Sequence, residues 1–338
     1  MEKGGKRIPA RCKVLVSLQK NQLLRLDTMS KRKEGFACAN DGTEIHYDYI
    51  PAPGGGPTLV LCNGILCINS FWVYLIEYFE GRYPILTWDY RGHGRSELPR
   101  DFDSLTVPNH AGDLAAVMDA AGVEEAVLFG FSMGVQLSFE FYNQTPERVL
   151  GIIAVSGSEG KAFNLYLGTD LLEGLVDRFF NLAERLSPVL EFPINLFLRS
   201  PLIMPAARLV GIDRHRGKKS DMMPYFNHLV QINKLMSFKA LRHLNEHSAA
   251  EVLSNVKVPT LIIMGTNDHM TPPAHALKLN EKIPGSELFM VPHGKHAAII
   301  ENPRAINCRI ELFLRDYFDF SASLSPDKRE KTASKDKR

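Results

Sequence analysis

Cysteine is scarce in this chain of 338 residues: there are five, Cys12, Cys38, Cys62, Cys67 and Cys308. Scattered and odd in number, they form neither a secreted disulfide framework nor the paired CxxC spacing of a zinc site. They point to a reducing compartment, the cytoplasm. Membrane-spanning runs are missing too. One uncharged stretch runs from Pro51 to Ile76, but Pro-Ala-Pro-Gly-Gly-Gly, Asn63-Gly64 and Asn69-Ser70 break it into turn, buried strand, turn and helix start. Neither sign of charge prevails, with 40 Lys and Arg against 38 Asp and Glu. The body contains no internal repeat and no low-complexity segment.

The near-zero charge hides a division. Residues 1–33 hold ten Lys and Arg against Glu2 and Asp27, a net of +8; residues 326–338 carry +3, which leaves the body, 34–325, at −9. An acidic body between basic ends argues against a nucleic-acid partner. The segment "CKVLVSLQKNQLLRL" is apolar with basic punctuation. It reads as an interfacial or targeting helix, with membrane contact through residues 1–28, or as a flexible, upstream-translated extension before a start at Met29. The charged tail, 322–338, reads as flexible and solvated.

What the sequence does contain is alternation. "EIHYDYI" (44–50) has strand character, and "TLVLC" (58–62), "YPILTWD" (83–89) and "EAVLFGF" (125–131) are continuous apolar runs of strand length. "LGIIAVS" (150–156), "PTLIIMG" (259–265) and "SELFMV" (286–291) continue the series. Helical patterns fit 69–80, 107–121, 133–145, 273–283 and 303–318. Runs buried on both faces and separated by helices predict an α/β fold with a mostly parallel central sheet. The alternation breaks over 158–258, a helical stretch rich in Leu and Phe. The expected organisation is a core of 34–157 and 259–321, interrupted by that helical insertion.

Three stretches carry chemistry. "GFSMG" (130–134) fits G-x-S-x-G between a strand and a helix. Gly130 and Gly134 keep side chains out of a tight crossing, and the helix that follows offers the free N–H of Met133 beside the hydroxyl of Ser132. A hydroxyl nucleophile needs a base, and the base an orienting acid. "LIIMGTNDHMTP" puts Asp268 on the loop after a buried strand, at the carboxyl edge of the sheet; a turn-forming Asp would satisfy the same pattern. Glu159, after the preceding strand, is the alternative acid. "VPHGKHAAIIENP" supplies two histidines, His293 and His296. As a metal site H-x-x-H lacks nearby partners of suitable type, so no metal is expected, and nothing here calls for a cofactor.

With these motifs in this order, residues 35–320 resemble the α/β-hydrolase fold serine hydrolases, whose triad runs Ser, acid, His along the chain. In that family the base is commonly followed five residues later by Glu and seven later by Pro. His296 has Glu301 and Pro303 at those offsets, which selects His296 over His293. "LVLCNGILCINSFW" resembles the family's His-Gly oxyanion loop, with Asn63-Gly64 in place of His-Gly; the resemblance implies that Ile65 joins Met133 in donating backbone N–H groups to an oxyanion. "DYRGHGRS" (89–96) is the family's signature turn, with Arg91 and His93 structural. Val135 stands where many relatives carry a third glycine.

By the same resemblance 158–258 is a cap or lid. Leu171, Leu172, Phe179, Phe180, Leu190, Phe192, Phe197 and Leu198 would pack it onto the core or line an apolar pocket. The implied activity is hydrolysis of a carboxylic ester in a small, fairly hydrophobic molecule, of the esterase or lipase-like kind, through an acyl-enzyme on Ser132. The same triad also serves lactonases, perhydrolases, carbon–carbon bond hydrolases and acyltransferases, and the scaffold serves ligand receptors.

Overall fold

A computed structural model describes residues 32–53, 56–160 and 173–318. Every apolar run read as a strand in the sequence is a strand in the fold. Eight strands form one sheet among the described residues: β1 (Lys33–Cys38), β2 (Glu44–Ile50), β3 (Thr58–Cys62), β4 (Ile85–Trp88), β5 (Ala126–Phe131), β6 (Val149–Val155), β7 (Thr260–Gly265) and β8 (Glu287–Val291). Their order is β1-β2-β4-β3-β5-β6-β7-β8. β2 is antiparallel to both neighbours, and every pairing from β4 to β8 is parallel. The expected α/β architecture is observed. β1 was not expected: it starts at Lys33, inside the stretch read as an extension, and pairs Lys33 with Tyr49. As the edge strand it exposes Lys33 and Glu34, charges that suit an edge open to solvent. Residues 1–28, Met29 and the tail 322–338 lie outside the described residues.

Alternation along each strand divides the core in two. Val60, Leu86, Trp88, Leu128 and Ile262 face one layer, with α2 (Val107–Ala121), α3 (Met133–Gln144) and α8 (Pro273–Lys282) packed over them. Leu59, Leu61, Phe129, Ile153 and Ile263 face the other, covered by α1 (Val73–Phe79) and α10 (Pro303–Phe318). Among the described residues, four helices lie between β6 and β7: α4 (Glu173–Arg199), α5 (Ile203–Val210), α6 (Lys219–Gln231) and α7 (Lys234–Glu246). A short helix, α9 (Ala298–Glu301), precedes α10. Among the described residues no helix is long and apolar enough to cross a membrane.

Parallel strands end together, so the loops after β5, β7 and β8 gather at one edge, where they hold Ser132, Asp268 and His296. The turn after β4 braces that edge. Buried Arg91 forks onto Asp113 through Nε at 2.8 Å and also through Nη2, while its Nη1 reaches Asp41 at 2.7 Å and Ser104 at 2.9 Å. Removing one partner of such a buried pair strands the other's charge. Arg91→Met is therefore expected to lower unfolding stability by about 3–5 kcal/mol, read as a shift of the urea midpoint at unchanged slope.

Candidate active site

Ser132 sits between β5 and α3 with φ 54° and ψ −114°, a backbone conformation costly for any residue with a side chain. The surroundings impose it. Its N–H donates to the Val155 carbonyl at 3.0 Å, and its own carbonyl accepts from Val135 N–H at 3.0 Å. A Cβ on Gly130 would collide with the Gly134 carbonyl, and one on Gly134 with the Cys62 carbonyl. Strand and helix thus cross at a distance only glycine permits. Val135 is accommodated because Gly157 lacks the side chain that would strike both Val135 and the Ser132 carbonyl.

His296 and Asp268 approach from two loops that are stitched together. Thr266 N–H donates to the Val291 carbonyl at 3.0 Å, Asn267 N–H to the Gly294 carbonyl at 2.9 Å, and His293 N–H to Thr266 Oγ1 at 2.8 Å. Within this frame His296 Nε2 lies 3.2 Å from Ser132 Oγ, and His296 Nδ1 lies 2.9 Å from Asp268 Oδ2. The other carboxylate oxygen of Asp268 accepts the N–H groups of Met270 at 2.9 Å and Thr271 at 2.8 Å. Both Asp268 oxygens are engaged, so the carboxylate has one orientation. His293 has φ 57° and its side chain is on the surface, outside this constellation.

Glu159, the alternative acid, is committed elsewhere. Its carboxylate lies 3.4 Å from His275 Nδ1 and is paired with Lys278. Burial pushes this carboxyl up, but the bonds to His275 and Lys278 outweigh it and hold it down at about 2. One other group of potential metal ligands converges among the described residues, Glu34, His46 and Asp48. Arg32 reaches Asp48 at 3.0 Å, and Arg95 reaches Glu34 at 2.5 Å and Asp48 at 2.9 Å, so its carboxylates are already matched by guanidinium groups.

Asn63 has a role its place in the sequence did not disclose. Fully buried, it accepts from Trp72 Nε1 at 2.8 Å and donates through Nδ2 to Asn69 Oδ1 at 2.9 Å and the Trp88 carbonyl at 3.1 Å. Its own carbonyl accepts from the Tyr90 hydroxyl at 2.6 Å. Only a side chain with a donor and an acceptor on one carbon can make this set, and an amide does. The clamp presents Gly64 and Ile65 to the site; a Cβ at Gly64 would press on Cys67 and Phe131 at 3.1–3.2 Å. Ile65 and Ser132 line the same cavity, and Met133 opens α3, where first-turn N–H groups lack an intrahelical acceptor.

That cavity, about 170 Å³, is walled mostly by apolar groups, with Ser132, His296 and Tyr225 as the lining residues that carry polar side-chain atoms. The core supplies Cys67, Phe71 and Phe131; the insertion supplies Ile212, Met222 and Phe226. Among the described residues, none of the insertion positions singled out in the sequence lines it. Phe180 and Leu198 are buried in packing, whereas Phe179, Phe192 and Phe197 are exposed; Leu171 and Leu172 fall outside the described residues. The wall residues share the helical periodicity of ordinary core positions, which hid them.

The chain resembles known proteins along most of its length. A family model described as alpha/beta hydrolase fold matches residues 57–303. A putative carbamate hydrolase, RutD, of Azorhizobium caulinodans is 27% identical over 263 residues, 77% of this chain and 91% of the relative. Two solved structures share the fold: an esterase from Rhodococcus sp. ECU1013 (21% identity, 84% of this chain and 99% of that one, TM-score 0.63) and an enol-lactonase from Burkholderia xenovorans LB400 (21%, 83% and 99%, 0.61).

The Glu159 carboxyl titrates far below its ordinary 4.5, so the folded state binds that proton less readily than the unfolded chain. Its contribution to stability is complete above about pH 4.5 and lost as pH falls toward 2. Denaturation of wild type and Glu159→Gln across pH 2–7 should show the largest gap at neutral pH and convergence at the acid end. A gap that persists unchanged at pH 2 would be the contrary result.

Proposed function

The chain belongs to the alpha/beta hydrolase fold family, and on that footing we propose that it is a serine hydrolase cleaving a carboxylic ester, or a related acyl bond, of a small hydrophobic substrate. The observation that carries this is the hydrogen-bonded line from Ser132 Oγ through His296 to Asp268, opening onto an apolar cavity. Ser132 Oγ attacks the carbonyl carbon and passes its proton to His296 Nε2. The carbonyl oxygen, now negative, is held by the N–H groups of Ile65 and Met133 as an oxyanion hole. Asp268 keeps the Nδ1 proton in place and stabilises the imidazolium. His296 then protonates the leaving alkoxide, and the acyl group stays on Ser132. Water, giving a proton to His296, attacks the acyl-enzyme and releases the acid; the proton returns to Ser132 Oγ. The insertion acts as the lid over the acyl group.

Relatives named as carbamate hydrolase, esterase and enol-lactonase support hydrolysis at an acyl carbon and leave its neighbouring atom open. The apolar wall favours an ester with a hydrocarbon acyl group over a small polar carbamate. Fluorophosphonate labelling should mark the wild-type protein and spare Ser132→Ala. On a panel of p-nitrophenyl esters and carbamates, Asp268→Asn should lose about ten-thousandfold in kcat with little change in KM. A folded wild-type protein that takes no label would refute the assignment.

A further inference from the structure

The outer face of α4 is apolar and open to solvent from Phe179 to Leu196. Phe179 is 61% exposed, Leu182 57%, Leu186 41%, Val189 72%, Phe192 76% and Leu196 61%. The spacing 179, 182, 186, 189, 196 is that of one helical stripe, and at 1.5 Å per residue it runs for about 25 Å along the helix. These are not core residues caught at a margin. Phe180, Ala183, Ser187 and Leu198 already fix α4 to the molecule from another side. Past the end of the helix, Leu202 (62%), Leu209 (82%) and Val210 (52%) are exposed as well. Val210 also lines the cavity that contains Ser132, and so does half-exposed Met270. Exposed apolar groups of the insertion thus also stand at the cavity that contains Ser132.

Charge borders this surface with one sign. Arg178, Arg185 and Arg199 repeat at multiples of seven residues, a row next to the stripe on the helix, and all three are exposed. Asp177, Glu184 and Glu191 repeat likewise, on the flank away from it. Beyond α5, residues 214–219 expose Arg214, Arg216, Lys218 and Lys219. From 199 to 219 six Lys and Arg stand against Asp213, within a body that is net acidic. An apolar stripe edged by cations matches an anionic bilayer: hydrocarbon for the stripe, headgroup charge for the border. A two-fold contact between copies would instead set basic rows against each other.

We propose that the α4–α5 face docks on the surface of an anionic lipid bilayer, lying in the interface without crossing it, with the cavity mouth turned to the lipid. This is a different surface from residues 1–28, and it concerns binding, so it stands or falls apart from the reaction assigned above.

The test is flotation of the full-length protein with vesicles of phosphatidylcholine alone or with phosphatidylserine. Wild type should partition to the anionic vesicles, less so at high salt. The triple variant Val189→Ser, Phe192→Ser and Leu196→Ser should lose roughly tenfold or more in partition while keeping its melting temperature and fluorophosphonate labelling. A second full-length variant, Arg11→Gln, Lys13→Gln, Lys20→Gln and Arg25→Gln together, should bind like wild type. Three results would overturn the proposal: equal binding by the triple variant, loss confined to the N-terminal variant, or a wild-type dimer in light scattering that the triple variant dissolves.

Discussion

The structure depends most on the closeness of β5 and α3. Gly130 and Gly134 bring backbone against backbone at the crossing, and Ser132 between them takes a φ of 54° that no local preference would choose. Such strain is tolerated only where surrounding structure determines it from several sides. Here the sides can be named: the Val155 carbonyl on the neighbouring strand, the Cys62 carbonyl on β3, and the space beside Gly157. Because β3 and β6 flank β5 in the sheet, the hydroxyl's position follows from strand order. Moving a side chain into the crossing would move the Ser132 hydroxyl.

The partners of Ser132 are placed by a different device. His296 and Asp268 come from loops, which alone would be poor supports for angstrom geometry. Hydrogen bonds between the β7 and β8 loops make the two one rigid piece, and the Met270 and Thr271 N–H groups fix the carboxylate within it. A carboxylate so saturated keeps one direction, and with it the direction of the imidazole bonded to it.

How much of this was legible in the sequence differs by kind of residue. The central strands were, because each is an uncharged run bounded by turns; "YPILTWD" spans 83–89 and the strand is 85–88. β1 was not, because "KEGFAC" has no alternation and is a strand only by virtue of the edge that β2 offers. Ser132 and Asp268 stood out because glycines and turn residues mark where a chain leaves a buried strand. Choosing His296 over His293 needed a pattern, since both histidines have the same local chemistry and their directions are decided by the β8 loop. The cavity wall was beyond reach: Met222 and Phe226 share their spacing with core residues, while Phe179 and Phe192, which look like core, are outside it.

The spacing that singled out His296 has a physical basis in the insertion. Glu301, five residues on, is buried, and its carboxylate accepts Asp213 N–H at 2.5 Å, on the segment joining α5 to α6. Burial raises its affinity for a proton, which makes the bond from the backbone N–H the more necessary. Two further bonds run the same way: Lys295 Nζ donates to the Arg208 carbonyl at 2.7 Å and Ala297 N–H to the Gly211 carbonyl at 3.3 Å. The residues flanking His296 on both sides are thus tied to the helices that wall the cavity. A displacement of α5 would pull directly on the imidazole's loop. In this fold the wall of the cavity and the imidazole that lines it are held by the same few hydrogen bonds.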